Sequence, residues 1–406
     1  MLRLMVTHAY ENVPFYHKRF TDAAKKPSDI RTASDLTFLG VIRKQDIRNN
    51  VERMIAKGVE KGKLLRIETS GSTGLPLTLY VSRDEDDFRK VKHLRDHVIC
   101  GHKATDRWVV ISMPTRFQAV GLLQRSIGFY SPRFVSVFED PAKQVSRLEE
   151  LKPEILDGYS TSILLIAKEM EKRGITAIRP RMIFTGAELL DAHSRKKIER
   201  SFDCPSYDQY ATIELERIAW QCLAKTGYHM DSDALIVQFV DKEGEEVAKG
   251  ESGEILCTSL FNYSMPLIRY SVGDIGSWTD ERCSCGINLP LMKVLEGRRD
   301  SIIILPDGRM LSPITFICAM DLYKFFGHID QFKLIQKRPD YIEVVLVRKD
   351  DSIGEKALQT ELVSHLNKSL ELDVSEVTFD VHFVDKIPLE ASGKLTSVTT
   401  ELKRPI

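Results

Sequence analysis

The sequence predicts an α/β protein: a large N-terminal α/β domain followed by a small α+β domain. Three observations predict it. The 406 residues exceed the roughly 250–300 over which a single core keeps growing. Between residues 108 and 188, apolar runs of strand length alternate with helix-like segments and end near glycines, the pattern of an open sheet. After residue 297, strand-like runs and one amphipathic helix make a separate unit.

The elements follow in order. Residues 1–24 read as largely helical, with Leu4, Tyr10, Val13, Tyr16 and Phe20 at near-helical spacing and Pro14 as the place for a break. Ser34-Asp35-Leu36 and Lys44-Gln45-Asp46-Ile47 start short helices. Residues 83–100 predict a charged surface helix with Phe88, Val91, Leu94 and Val98 at its periodic apolar positions. Trp108–Met113 suits a buried strand. Ile155–Ser160 follows a helix-like Val145–Leu151, and a helix over 161–173 leads through Pro180 into Met182–Glu188. From 228 to 275 the pattern turns to β, with strands at Ala234–Val240 and Gly253–Leu260 and a hairpin turn at Lys242-Glu243-Gly244-Glu245. The domain boundary falls in Gly297-Arg298-Arg299-Asp300, giving domains 1–297 and 301–406 around a hinge at 298–300. Beyond it, Pro306-Asp307-Gly308 between Ile302–Leu305 and Arg309–Leu311 signals a hairpin. Tyr341–Val347 reads as a strand. Leu358, Leu362, Val363, Leu366 and Leu370 share one helical face, and Val377, Phe379, Val381 and Phe383 alternate as a strand.

Composition excludes several classes. Acidic and basic residues balance at 58 each, which argues against a nucleic-acid partner. No apolar run reaches about 18 residues, so no integral membrane association is expected. Met1–His8 lacks the apolar core and cleavage site of a signal peptide, which makes the cytoplasm the default. Seven unevenly spaced cysteines suggest free thiols or a metal site, not a disulfide framework.

Several stretches carry chemistry, each with a plainer alternative. Thr69-Ser70-Gly71-Ser72-Thr73-Gly74-Leu75-Pro76 offers hydroxyls and glycine-permitted backbone N–H groups to phosphate oxygens. The alternative is a Ser/Gly turn between strands. It is not a Walker A loop, because Gly74 is followed by Leu75-Pro76 where that motif needs lysine. Cys222, His229, Cys283 and Cys285 supply three thiolates and one imidazole, a set zinc takes as a closed tetrahedron. Alternatively, two cysteines share a loop and the other two residues are unrelated. In Tyr207–Arg217, Tyr210 could stack on a base while Glu214 holds Mg²⁺; the plain reading is a helix start with surface acids. Asp274, after Gly273, could accept from ribose hydroxyls or sit in an ordinary turn. Gly297–Asp300 reads as a charged linker, and Pro388–Lys394 as an exposed loop.

The order and spacing of these segments resemble the motif series of the adenylate-forming superfamily of acyl-CoA synthetases, adenylation domains and luciferases, over essentially the whole chain. Ala9-Tyr10-Glu11-Asn12-Val13-Pro14-Phe15-Tyr16, the Cys222/His229 pair and Cys283-Ser284-Cys285-Gly286 resemble, more narrowly, its phenylacetate–CoA ligase-like branch, which includes coenzyme-adenylating synthetases and CapK-type proteins. The resemblance implies a large adenylate-forming domain with a small mobile lid. It implies that a carboxylate attacks the α-phosphorus of ATP to give an acyl-adenylate, and that a thiol, most simply coenzyme A, then displaces AMP. Thr69, Ser70, Gly71, Ser72, Thr73 and Gly74 would hold the outer phosphates. Glu214 would coordinate Mg²⁺. Tyr210 would lie against adenine near Gly186, Ala187 and Glu188. Asp274 and Arg298 would bind ribose. Lys394 would meet the charge between carboxylate and α-phosphate, and Asp300 would be the hinge. Relatives hold structural Zn²⁺ with a set like Cys222, His229, Cys283 and Cys285.

The chain departs from the family pattern at Leu77, where many members have lysine, and at Ala211 and Ile213, where glycine and threonine are usual. The expected partner is a small-molecule carboxylate, its pocket borrowing from 110–114, 156–160 and 185–188. The oligomeric state is open, with a homodimer entertained. Two alternatives stay open: the same adenylation with an amine or hydroxyl acceptor or with AMP itself transferred, and a catalytically silent, zinc-stabilised binding protein.

Overall fold

The structure is a computed structural model that describes residues 1–69, 77–112, 122–136, 139, 141–187, 190–296, 303–306, 310–311, 316, 319–320, 323–370, 372, 376–388 and 396–402. They fall into two compact units, Met1–Ala187 with Ser201–Leu295, and Glu188–Arg200 with Glu296–Ile406.

The first unit opens with α1 (Leu2–Asn12) and α2 (Pro14–Asp22). Val13 between them is extended, at φ −112° and ψ 106°, because a residue before proline is pushed out of the helical region. Pro14 then takes the first helical position, where its missing N–H is no loss. The Tyr16 hydroxyl donates to Pro266 O and accepts from the Ile268 N–H, both at 3.0 Å. The N-terminal helices are thus pinned to the Met265–Asp274 stretch. A 3₁₀ turn at Ser34–Leu39 precedes α3 (Lys44–Met54). Then come the antiparallel strands β1 (Leu65–Thr69) and β2 (Leu77–Val81). Helix α4 (Arg83–Cys100) starts on a capping box, Ser82 Oγ accepting from Glu85 N–H and Glu85 from Ser82 N–H, and stops at left-handed Gly101.

Next along the chain are β3 (Trp108–Ser112), α5 (Leu122–Ile127), β4 (Arg133–Ser136), α6 (Pro141–Leu151), β5 (Ile155–Tyr159), α7 (Ser160–Arg173), β6 (Met182–Gly186) and α8 (Ala192–Phe202), most of which belongs to the second unit. They are followed by β7 (Ser206–Thr212), β8 (Glu216–Trp220), β9 (Tyr228–Met230), β10 (Leu235–Val240), β11 (Gly253–Ser259), β12 (Tyr270–Thr279) and β13 (Leu291–Glu296). One sheet of eleven strands takes the order β10-β11-β12-β13-β9-β8-β7-β6-β5-β3-β4. Strands β4, β3, β5, β6 and β7 run parallel, and β7/β8/β9 and β10/β11/β12 antiparallel. Every residue of β5 is buried, as expected for a parallel strand covered on both faces. The expected open α/β sheet is therefore present. The plain reading of Tyr207–Arg217 as a helix start is overturned: these residues form β7, a turn and β8. Pairing with neighbours on both sides decides this, and the local sequence does not contain those neighbours. Strand β13 was not anticipated.

In the second unit, β14 (Ile303–Ile304) pairs with β15 (Met310–Leu311) as the hairpin reading expects. Then come β16 (Ile329–Arg338), β17 (Tyr341–Arg348), α9 (Glu355–Ser369), β18 (Thr378–Phe383) and β19 (Val398–Thr400), the sheet running β18-β17-β16-β19. Leu358, Leu362 and Leu366 of α9 are buried, the last two in one core with Val344, Leu346, Phe379 and Val381. Strands β16 and β19 carry no prior expectation. Buried Gln336 of β16 bonds both the N–H and the C=O of Ile304, at 3.0 and 2.6 Å, which joins the hairpin to the sheet. Among the described residues no helix is long and apolar enough to cross a membrane.

Candidate active site

The turn between β7 and β8 carries Glu214, and α4 holds it. The exposure of α4 is the reverse of what its apolar spacing predicts. Phe88, Val91 and Val98 are 39, 68 and 49 % exposed, while Glu85, Arg89, Lys92, Asp96 and His97 are buried. Of the four predicted positions only Leu94 packs inward, on the cluster of Trp108, Ile155, Phe184 and Tyr207. The reason is hydrogen bonding. A tight turn leaves carbonyls that must find donors once buried, and α4 supplies them. Arg89 donates to Glu214 O at 3.0 Å and Ile213 O at 2.7 Å, and Lys92 Nζ donates to Leu215 O at 2.8 Å and Arg217 O at 2.7 Å. Burial pushes Lys92 down to about 7. Behind them Arg217, fully buried, bonds Asp231 through Nε and Nη2 at 3.0 and 3.1 Å and also bonds Asp96. Asp96 accepts in addition from Gln209 Nε2 at 2.5 Å.

Two phenol–carboxylate pairs face this turn, and their pairing is crossed. Tyr210 of β7 donates to Asp274 Oδ2 of β12 at 2.6 Å. Tyr270, four residues before Asp274, donates to Glu214 Oε1 at 2.8 Å, four residues after Tyr210. Burial, then the neighbouring carboxylate, holds both phenols well above their usual range. Lys44, the first residue of α3, comes within 3.3 Å of the same Glu214 oxygen. A lone carboxylate beside a lysine is a poor cage for a dication. It fits Mg²⁺ held chiefly by nucleotide phosphates and water, the usual arrangement for that ion.

At the end of β6, Gly186 lies beside Gln209, whose carbonyl would stand 3.2 Å from an added Cβ. Ala187 is left-handed, at φ 66°, a conformation that costs a non-glycine residue roughly 1–2 kcal/mol. Thr185 and Tyr228 donate to the two oxygens of Asp208 at 2.7 and 2.6 Å and fix the β6–β7 strand ends. These are the carboxyl ends of parallel strands, where open sheets bind ligands.

Cys222 after β8, His229 on β9, and Cys283 and Cys285 before β13 come together, with their ligand atoms all within 4.8 Å of one another. Cys222 Sγ lies 3.4 Å from Cys283 Sγ, and Cys285 Sγ 3.3 Å from His229 Nε2. Tetrahedral zinc with bonds of about 2.3 Å to sulfur and 2.0–2.1 Å to nitrogen would set these at about 3.8 and 3.6 Å. The donor set and its span fit that ion after an outward shift of a few tenths of an ångström. Despite burial, the Cys285 N–H and neighbouring side chains bring the Cys283 thiol down to about 6, while burial and the Cys283 contact push Cys222 up to about 12, so zinc would have to displace the Cys222 proton.

Ser70, Gly71, Ser72, Thr73, Gly74, Glu188, Arg298, Asp300 and Lys394 lie outside the described residues, and Thr69 closes β1 at the edge of them. Lys44, Arg89 and Lys92 escaped sequence reasoning because no motif carries them. Charges at consecutive turns of one helical face were the available signal. Arg269, inside the Met265–Asp274 motif, serves the fold: buried at φ 50°, it bonds Gly40 O and Gly244 O.

No protein-family model matches the chain. It is 25 % identical to the phenylacetate–coenzyme A ligase of Thermus thermophilus over 319 residues, 75 % of this chain and 70 % of that protein. It is 26 % identical to protein CapK of Staphylococcus aureus over 392 residues, 92 % of this chain and 82 % of that protein. The fold matches a 2-hydroxyisobutyryl-CoA ligase crystallised in the postadenylation state with 2-HIB-AMP, at a TM-score of 0.82 and 18 % identity, over 98 % of this chain and 88 % of the other.

Proposed function

We propose, for a chain that belongs to the adenylate-forming superfamily in its phenylacetate–coenzyme A ligase-like branch, ATP-dependent activation of an aryl or acyl carboxylic acid and its transfer to the thiol of coenzyme A. A substrate carboxylate oxygen bonds to the α-phosphorus of ATP and pyrophosphate leaves. The coenzyme A sulfur then bonds to the acyl carbon, losing its proton, and AMP leaves. In this reading residues 69–74 hold the outer phosphates. Tyr210 lies against adenine beside Gly186, Ala187 and Glu188, and Asp274 and Arg298 take the ribose hydroxyls. Glu214 serves Mg²⁺, which when bound offsets phosphate charge. Lys394 reaches the reacting carboxylate from the C-terminal domain, with Asp300 as hinge. Zn²⁺ at Cys222, His229, Cys283 and Cys285 is structural, since four protein ligands leave no open position.

The observation that supports this best is the crossed pairing of Tyr210 with Asp274 and Tyr270 with Glu214. It gathers side chains of two separate motifs at one turn. The test is carboxylate-dependent exchange of labelled pyrophosphate into ATP over a panel of aryl and alkyl acids, followed by AMP release with coenzyme A, amines or sugars as acceptor. Exchange with at least one acid is expected, with release fastest for coenzyme A. Lys394→Ala should abolish exchange and spare coenzyme A-dependent consumption of a supplied acyl-adenylate. Absence of exchange with every acid would refute the reading, and equal loss of both half-reactions would refute the role of Lys394.

A further inference from the structure

We propose that His93, His97 and Asp157 form a second divalent-metal site, of histidine–histidine–carboxylate type, beneath α4 in the first unit. His93 and His97 are one helical turn apart, so their rings share a face. Asp157 is the middle residue of β5, and its register partner on β6 is Phe184. The Phe184 ring stacks on that of His97 at 3.7 Å and 9°, which places the carboxylate under the same face of α4. The Nε2 atoms of His93 and His97 each lie 3.7 Å from one oxygen, Asp157 Oδ2, and the three ligand atoms fall within 4.8 Å of one another.

A separation of 3.7 Å is too long for a hydrogen bond. It suits two atoms drawn towards one cation: bonds of about 2.0–2.1 Å reach that spacing at an angle of about 125–135°, and a shift inward of a few tenths of an ångström gives the tetrahedral value. Independent of this spacing, His97 is fully buried and its Nε2 has no hydrogen-bond partner. Its Nδ1 is engaged 3.1 Å from His102 Nδ1, so the unpartnered nitrogen is the one aimed at the carboxylate. Around His93 the arrangement is looser, its Nδ1 making no hydrogen bond. His93 Nδ1 lies 3.4 Å from Glu216 Oε1, and Glu216 Oε2 lies 3.4 Å from Arg89. The His93 side chain is 28 % exposed, which gives an ion access from solvent. Three nitrogen and oxygen ligands suit Zn²⁺ or a similar borderline ion and leave a fourth position for water or an anionic oxygen. The Cys222/His229/Cys283/Cys285 set, in contrast, is closed and sulfur-rich.

Cobalt separates the two sites, because only thiolate ligands give an intense near-ultraviolet charge-transfer band. Full-length protein stripped of metal is titrated with Co²⁺. Two equivalents are expected, one raising that band and one giving only weak visible bands. In His93→Ala, and separately in Asp157→Asn, the second equivalent should bind about a hundredfold or more weakly, while the thiolate band develops as before. That retained band shows the variant is folded. Two observations would overturn the proposal: wild-type protein in which every bound Co²⁺ contributes to the thiolate band, or a folded His93→Ala that keeps both equivalents at unchanged affinity.

Discussion

Replacing Arg217 with leucine tests the polar frame behind the β7–β8 turn. Arg217, Asp96 and Asp231 are all fully buried, and the guanidinium bonds both carboxylates. Its removal leaves buried Asp96 with the neutral Gln209 amide and buried Asp231 with the Trp220 indole and the partly exposed Arg95, and breaking a buried pair in this way costs about 3–5 kcal/mol. For a unit of this size a kilocalorie shifts the midpoint by about 2 °C, so Arg217→Leu should melt about 6–10 °C lower at pH 7.5. The pH dependence has a definite sign. Burial already holds Asp231 above the usual carboxylate range with Arg217 in place, and losing the cation raises it further. A carboxyl whose folded value exceeds its unfolded one loses stability as pH rises, so the deficit should shrink between pH 7.5 and 5.5. Adding Asp96→Asn and Asp231→Asn to Arg217→Leu should recover at least half of the loss. Circular dichroism melts of wild type, single and triple variants at both pH values suffice. A loss below 2 °C, a deficit independent of pH, or a triple variant no better than the single would refute the reasoning.

Two further outcomes follow from the site. Tyr210→Phe removes a 2.6 Å hydrogen bond to Asp274. A bond to a charged acceptor contributes about 1.5–3 kcal/mol, so KM for ATP in the exchange assay should rise about ten- to a hundredfold with kcat little changed; an unchanged KM would show that this bond does not position Asp274 for the nucleotide. Protein purified without chelator should carry zinc at the four-ligand set, and Cys283→Ser should lose that ion together with the thiolate–cobalt band and several degrees of thermal stability. Wild-type protein that shows no such band would rule out the zinc assignment.

Elements whose signals are local were legible in the sequence. Pro14 marks the break between α1 and α2, and the leucines of α9 face the core of the second unit as their spacing requires. Tyr207–Thr212 was not legible as a strand, because its identity depends on β6 and β8 lying either side of it. The inward face of α4 failed for a related reason. Hydrophobic periodicity assumes that a buried face is apolar, and here the buried partners are carbonyls and carboxylates more than a hundred residues away. Within the candidate site, Tyr210, Glu214 and Asp274 could be singled out from motif order. Lys44 and the sharing of Asp157 by two histidines could not, since only the folded chain brings those groups together.

The inverted helix α4 also reverses the ordinary rule for which of its residues a chain can exchange. Val91, Val98 and Ile99 lie on the outside, so a drift to lysine or glutamate there alters solubility and little else. Arg89, Lys92 and Asp96 read as expendable surface charges, yet they are the helix's fixed points. Any scheme that ranks substitutions by side-chain hydrophobicity, whether for engineering a more soluble variant or for judging harmful changes, would order this helix backwards.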